Sequence, residues 1–256
     1  MSSAPSYFTD YENFALTRDE DGVLLVRLHT EGSEITFTAQ THQDFPDLLE
    51  KVALDTENTV MVLTGTGDAF MDRIDGTSLG DIHKPAHWEK FRVEGVNVLQ
   101  RLIELPIPVV GVANGPATLH SEYLLLTDIH IASDRATYAD LHPAFGLPGG
   151  DGVQVVWDEI VGAARAKWLL WTGESIDAAT ALDWGVVSEV VAHDRALSRG
   201  MEIARGLSRS PRLYRTLQKQ TVNRAMRMRL LTDVPMGLAL EGLTAANLAY
   251  LTQTPD

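Results

Sequence analysis

Short apolar runs alternate with stretches of helical period through the first three-quarters of the chain. Residues 14–18 and 23–29 read as two strands joined by the polar turn Asp19-Glu20-Asp21-Gly22, which predicts a β-hairpin. Over residues 41–54, Phe45, Leu48, Leu49 and Val52 fall on one helical face. Residues 60–63 form an apolar strand closed by Thr64-Gly65-Thr66-Gly67. That closure reads as a tight turn, because it lacks the later glycine and the helix start of a dinucleotide-binding loop. Trp88, Phe91, Gly95, Leu99 and Leu102 recur at spacings of three and four, predicting an amphipathic helix over 88–104 that Pro106 and Pro108 stop. Strand-like runs at 108–112 and 129–133 bracket a helical stretch. A helix over 156–171 ends at Gly173, a short one covers 177–182, and an apolar run covers 186–191. From Asp194 onward the pattern is helical, with Pro211 separating a helix over 196–208 from the next and a last helix over 235–252. Strands alternating with helices imply βαβ units and a largely parallel sheet. The expected class is α/β with a core over 1–193 and a C-terminal helical region over 194–256.

Composition narrows the function. The chain has 256 residues, enough to bury a core without a disulfide or metal staple. There is no cysteine, which rules out thiolate catalysis and fits a reducing, cytoplasmic setting. The net charge of −14 argues against a nucleic-acid partner. The N-terminus has no basic-then-apolar signal pattern, and no apolar run approaches the ~20 residues of a membrane span.

Candidate chemistry concentrates between residues 114 and 152. The central strand breaks at Asn114-Gly115-Pro116, and His120, His142 and Asp151 lie at or beside breaks between elements. Loops at strand ends carry chemistry because a rigid sheet positions them. Two imidazoles and a carboxylate there are suited to proton transfer near neutral pH. The same three residues also fit as ordinary polar loop residues.

Three further segments resemble the crotonase (enoyl-CoA hydratase/isomerase) superfamily: VGAARAKWLLWTGESIDAATALDWGVVSEVV at 161–191, VMVLTGTGDAF at 60–70 and PVVGVANGPA at 108–117. That resemblance implies a ββα spiral core. It also implies a homotrimer or dimer of trimers, with the C-terminal helices as the oligomer contacts. CoA-dependent members carry a glycine triplet after the Asn-Gly turn, one of whose amides completes an oxyanion hole. This chain has Thr118-Leu119-His120-Ser121 instead, and Asp151 stands in the Pro148-Gly149-Gly150-Asp151-Gly152 loop where a small residue is common. With the HTEG run at 29–32 and GLALE at 237–241, the pattern is similar to a narrower branch, 6-oxocamphor hydrolase and related β-diketone hydrolases. Those enzymes cleave cyclic 1,3-diketones by a retro-Claisen reaction without CoA or metal.

The resemblance implies a small diketone as substrate, no cofactor, and His42, His120, His142, Asp151 and Glu241 as site residues. His142 with Asp151 is the expected water-activating dyad, and His120 the expected ligand of a carbonyl oxygen and its oxyanion. Glu241 is expected to assist His142 or water. His42 is expected to orient substrate or make a core hydrogen bond, and Phe37, where the branch has a tryptophan, to line a wall. Glu122 reads as a helix or supporting residue. The histidines at 29, 83, 87, 130 and 193 read as structural. Other readings are a CoA-thioester enzyme, with the basic stretch 205–229 meeting CoA phosphates; a zinc hydrolase using His120, His142 and Asp151; and a non-catalytic subunit.

Overall fold

The computed structural model describes residues 4–253. The chain opens with the expected hairpin, β1 (Phe14–Arg18) and β2 (Val23–Leu28), then the two-residue β3 (Thr36–Phe37) and α1 (Ala39–Leu54), which the Thr38 side chain caps. Next come β4 (Val60–Gly65), β5 (Arg73–Ile74), α2 (Pro85–Glu104) and β6 (Val109–Ala113). After the Asn-Gly-Pro break lie the single-turn α3 (Glu122–Leu125), β7 (Ile129–Ser133) and β8 (Thr137–Tyr138). The remainder is α4 (Val153–Val161), α5 (Ala163–Thr172), β9 (Ile176–Asp177), α6 (Ala178–Asp183), β10 (Glu189–Val191), α7 (Ala196–Ser208), α8 (Arg212–Val222) and α9 (Arg224–Gln253).

The main sheet has the order β1-β2-β4-β6-β7-β10; β1 is antiparallel to β2 and the other pairs are parallel. Both faces are buried, as a parallel sheet requires. Val23, Leu25, Val60, Val62, Val110, Val112 and Ile131 face α7, whose Gly200 lets the helix seat directly on Val112. Leu24, Val26, Met61, Leu63 and Val109 face the larger core, shared with α1, α2, α4 and α9. The loops leaving the carboxyl ends of β4 and β6 therefore emerge between the sheet and α2 and α9. Asn114 ties them together: its side chain donates to the carbonyls of Gly67 (2.8 Å) and Ala69 (2.9 Å) and accepts from the Gly65 amide (3.1 Å).

Two expected helices are drawn differently. The stretch 156–171 is two helices, because Gly162 turns the backbone at φ +78° between α4 and α5. Conversely, Pro235 lies inside α9 rather than at its start. It removes one backbone bond, to the carbonyl of Leu231. Packing of α9 against α2 and α4 keeps the helix continuous. Among the described residues, no helix is long and apolar enough to cross a membrane.

Candidate active site

A cavity of about 290 Å³ opens between the 71–85 loop, the 118–121 turn, the 139–153 loop, α2 and α9. Its walls are largely apolar, with Ile74, Leu79, Phe91, Leu147 and Val153 among them and Phe145 half exposed at the mouth. One side is polar: His120, Asp140, His142, Asp151 and Glu241 all border it.

Backbone close approach builds that side. A Cβ on Gly150 would sit 2.2 Å from the Gly237 carbonyl oxygen, and one on Gly237 would sit 2.5 Å from the Gly150 carbonyl oxygen, so the glycine loop and α9 pack main chain to main chain. Gly242 is equally confined by the Trp88 ring. This contact lets Glu241, one helical turn beyond Gly237, accept from the Gly150 amide at 3.2 Å. Gln154 staples the same loop, accepting from the Gly152 amide (2.9 Å) and donating to the Gly150 carbonyl (3.1 Å). Asp151 is thereby held at the start of α4, facing both histidines.

His142 begins a one-turn 3-10 helix. Its Nδ1 donates to Asp140 Oδ1 at 2.6 Å, so the orienting carboxylate is Asp140, not Asp151 as the sequence led us to expect. Asp151 Oδ2 lies 3.7 Å from the other nitrogen, Nε2, and Glu241 Oε1 lies 3.4 Å from it. Asp140 was missed because a carboxylate two residues before a histidine reads as an ordinary turn residue, yet that spacing is the signal. The same signal recurs reversed at His120, whose Nδ1 donates to Glu122 Oε1 at 2.7 Å. Asp151 Oδ2 is 3.5 Å from that nitrogen. His120 sits at φ +48°, a left-handed conformation uncommon for histidine and of the kind found where a site fixes a side chain. Its ring stacks on Tyr123 (4.9 Å, 5°) and packs on Phe37 (4.4 Å).

The electrostatics follow from four carboxylates around two imidazoles. Burial alone would push His142 down, but Asp151, Asp140 and Glu241 outweigh it and raise its pKa to about 12. For His120 burial is likewise overcome, by Glu122 and Asp151, and the pKa rises to about 10. Asp151 is pushed up by burial, yet the two imidazolium charges hold it well below the usual carboxylate range. Glu241 is raised by burial, and Glu122 is raised to about 7 by burial and by the charge of Asp151.

His42 and Phe37 do not border the cavity. His42 is buried, stacked on Phe91 (3.9 Å, 3°), and its Nδ1 donates to Glu94 at 2.9 Å. Of its two expected roles, the core hydrogen bond is the one seen. Phe37 lies behind His120 instead of lining a wall. His83, read as structural, stands on the cavity wall with Nδ1 donating to the Ala245 carbonyl at 2.8 Å. His120, Glu122 and Asp151 bring one donor atom each within 4.8 Å of one another. His142, named in the zinc alternative, is not part of that trio, and Nδ1 of His120 is hydrogen-bonded to Glu122.

Comparison with known proteins bears on this arrangement. The profile of the Enoyl-CoA hydratase/isomerase family matches residues 18–244. A short-chain-enoyl-CoA hydratase from Clostridium acetobutylicum is 27% identical over 90% of this chain and 87% of its own length. A 1,2-epoxyphenylacetyl-CoA isomerase from Escherichia coli is 29% identical over 83% of this chain and 82% of its own. Among solved structures, a beta-diketone hydrolase from the cyanobacterium Anabaena sp. PCC 7120, bound to (S)-3-oxocyclohexyl acetic acid, superposes with a TM-score of 0.95 at 41% identity. That match covers 96% of this chain and 99% of the Anabaena chain.

Proposed function

The chain belongs to the enoyl-CoA hydratase/isomerase (crotonase) family, and within it we propose that this protein is a hydrolase that opens cyclic β-diketones by retro-Claisen cleavage of a C–C bond. The observation that carries the reading is the polar wall, where two imidazoles and their carboxylates meet at one side of an apolar cavity. Similarity to the Anabaena hydrolase supports it. So does the turn before His120: the amides of Thr118 and Leu119 both donate to the Met71 carbonyl, at 3.1 Å each, and are committed within the fold. A carbonyl oxygen reaching this turn meets the His120 ring in their place.

In the proposed reaction water attacks one carbonyl carbon. Its proton goes to the His142 Nε2 side of the cluster. His142 can serve there despite its raised pKa, because the Nε2 proton can rest on Glu241, 3.4 Å away, without leaving the protein. Asp140 keeps the Nδ1 proton in place and so fixes the tautomer. His120 donates to the tetrahedral oxyanion. The C–C bond then breaks, leaving a carboxylic acid and an enolate, and the enolate carbon takes back the proton from the cluster. The sum is diketone plus water to keto acid.

The ligand of the Anabaena relative suggests a test substrate. Joining its carboxyl carbon to the far ring carbon beside the ketone, with loss of water, gives a symmetrical bicyclic 1,3-diketone. That diketone cannot enolise between its carbonyls. Purified protein with chelator present should convert it to one enantiomer of the keto acid, followed by chiral chromatography. Hydration of crotonyl-CoA, assayed alongside, should be absent. Thioester turnover without keto acid would overturn the reading. We propose also that the chain assembles as a trimer or dimer of trimers through α8 and α9, where Leu213, Tyr214, Val222, Met228 and Met236 are exposed; light scattering at the monomer mass would contradict this.

A further inference from the structure

Glu122 is buried without contact to solvent, and its Oε2 has no hydrogen-bond partner among the described residues. A carboxylate is costly to hold in such a place unless an ionic partner offsets it. The partner is His120, at 2.7 Å. That ring cannot turn away, being stacked on Tyr123 and packed on Phe37, so Nδ1 is fixed toward Glu122. Nε2 is the nitrogen left for the cavity that His120 borders.

While Nδ1 donates to an ionised Glu122, the charge state of the ring decides what the cavity sees. A neutral imidazole with its proton on Nδ1 offers a lone pair at Nε2, which can only accept. A ketone oxygen and the oxyanion derived from it can only accept as well, so that form binds neither. An imidazolium carries a hydrogen on both nitrogens and binds both. Two carboxylates beside one ring, Glu122 at 2.7 Å and Asp151 at 3.5 Å, favour the imidazolium.

We propose that Glu122 is the positioning residue that makes His120 a hydrogen-bond donor to the substrate oxygen, acting through the ring and not on substrate. The inference rests on the diketone-hydrolase reading for what the donor does, but not for the state of His120 itself. The titratable groups facing the pair are Asp151 from the glycine loop and His42 from α1, whose own pKa burial lowers. His142, with Asp140 and Glu241, lies on the far side of Asp151. Burial and Asp151 push Glu122 up to about 7, still below the about 10 of His120, so between those values the proton rests on the ring.

The test is Glu122→Gln in the full chain, read two ways. Histidine-labelled protein should show the His120 titration midpoint falling by about one to three pH units in the variant, the usual effect of removing an adjacent opposite charge. Turnover of the bicyclic diketone should fall by up to about tenfold near pH 8 and by up to on the order of 10²-fold near pH ~9.5, where wild type still holds the imidazolium, mostly in kcat. The deficit should narrow toward pH 6, where bulk protons restore the imidazolium. Glu122→Asp, which keeps the charge, should recover part of both; it also carries the test if Glu122→Gln fails to fold. An unmoved His120 midpoint, or pH profiles for variant and wild type that stay parallel, would overturn the proposal. If the midpoint moves as expected while wild type opens no diketone, the hydrolase reading falls and the assignment of Glu122 to His120 is upheld.

Discussion

His130 and the two cavity histidines differ in their neighbours far more than in their burial. His130 lies on β7 beneath Tyr138, whose hydroxyl donates to its Nε2 at 3.1 Å, and no carboxylate approaches it among the described ion pairs. Burial outweighs an opposing hydrogen bond to the Val186 backbone there and lowers its pKa to about 3. His120 is similarly withdrawn from water, yet its pKa rises to about 10. One carboxylate within hydrogen-bond reach is not enough, since burial still lowers His42 beside Glu94; two or more buried carboxylates reverse the direction at His120 and His142. The same side chain is thus a neutral packing element at one place and a cationic donor at another. Carboxylates two positions away in sequence, Glu122 at the start of α3 and Asp140 before the 3-10 turn, contribute to the difference together with Asp151.

The largest expected effect comes from removing those carboxylates. Asp140→Asn should lower diketone turnover by ~10³-fold or more, since loss of a tautomer-fixing carboxylate costs on that scale in serine-protease triads. Asp151→Asn should lie within ~10²–10⁴-fold, as for loss of general base assistance, and should lower the titration midpoints of both His120 and His142. Steady-state kinetics with circular dichroism as a folding control checks both, and wild-type-like turnover in either would break the comparison.

Next in size is a pH effect on stability. The folded pKa of His120, about 10, lies above the ordinary 6.5, so the native state holds a proton that the unfolded chain releases between those values. That stabilisation is complete below about 6.5 and is lost as the pH rises toward about 10, with His142 acting in the same direction up to about 12. Thermal unfolding should therefore shift down between neutral pH and pH ~10, by about 2–4 °C for each kcal/mol lost. In His120→Gln the shift should be smaller; an unchanged shift would assign it elsewhere. Smallest is Tyr138→Phe, which leaves buried His130 Nε2 without its donor. It should cost about 1–3 kcal/mol in denaturant unfolding and leave turnover unchanged.

The sheet and most helices were legible because burial on one or both faces imposes a period. Elements without one were not: β3, β5, β8 and β9 are two residues each, and their pairing is decided by tertiary contact. Pro235 misled for a related reason, since packing of α9 outweighs a single lost backbone bond. At the site, the gathering of His120, His142, Asp151 and Glu241 was readable from strand-end position and resemblance. The pairing within it was not, because His142 lies nine residues from Asp151 in a folded-back loop, whereas its bonded carboxylate is two residues away. Phe37 and His42 entered as site residues through the resemblance alone, and they stand behind the cavity wall, Phe37 against His120 and His42 against Phe91.

The most direct test of this account is the titration of individually assigned histidines in the wild-type chain by imidazole nitrogen resonances. At about pH 8 protons are expected on both nitrogens of His120 and on one nitrogen of His130, the latter staying neutral far into acid. A neutral His120 at that pH would mean that Glu122 and Asp151 do not overcome burial, and the cavity would lose the donor on which the proposed reaction depends.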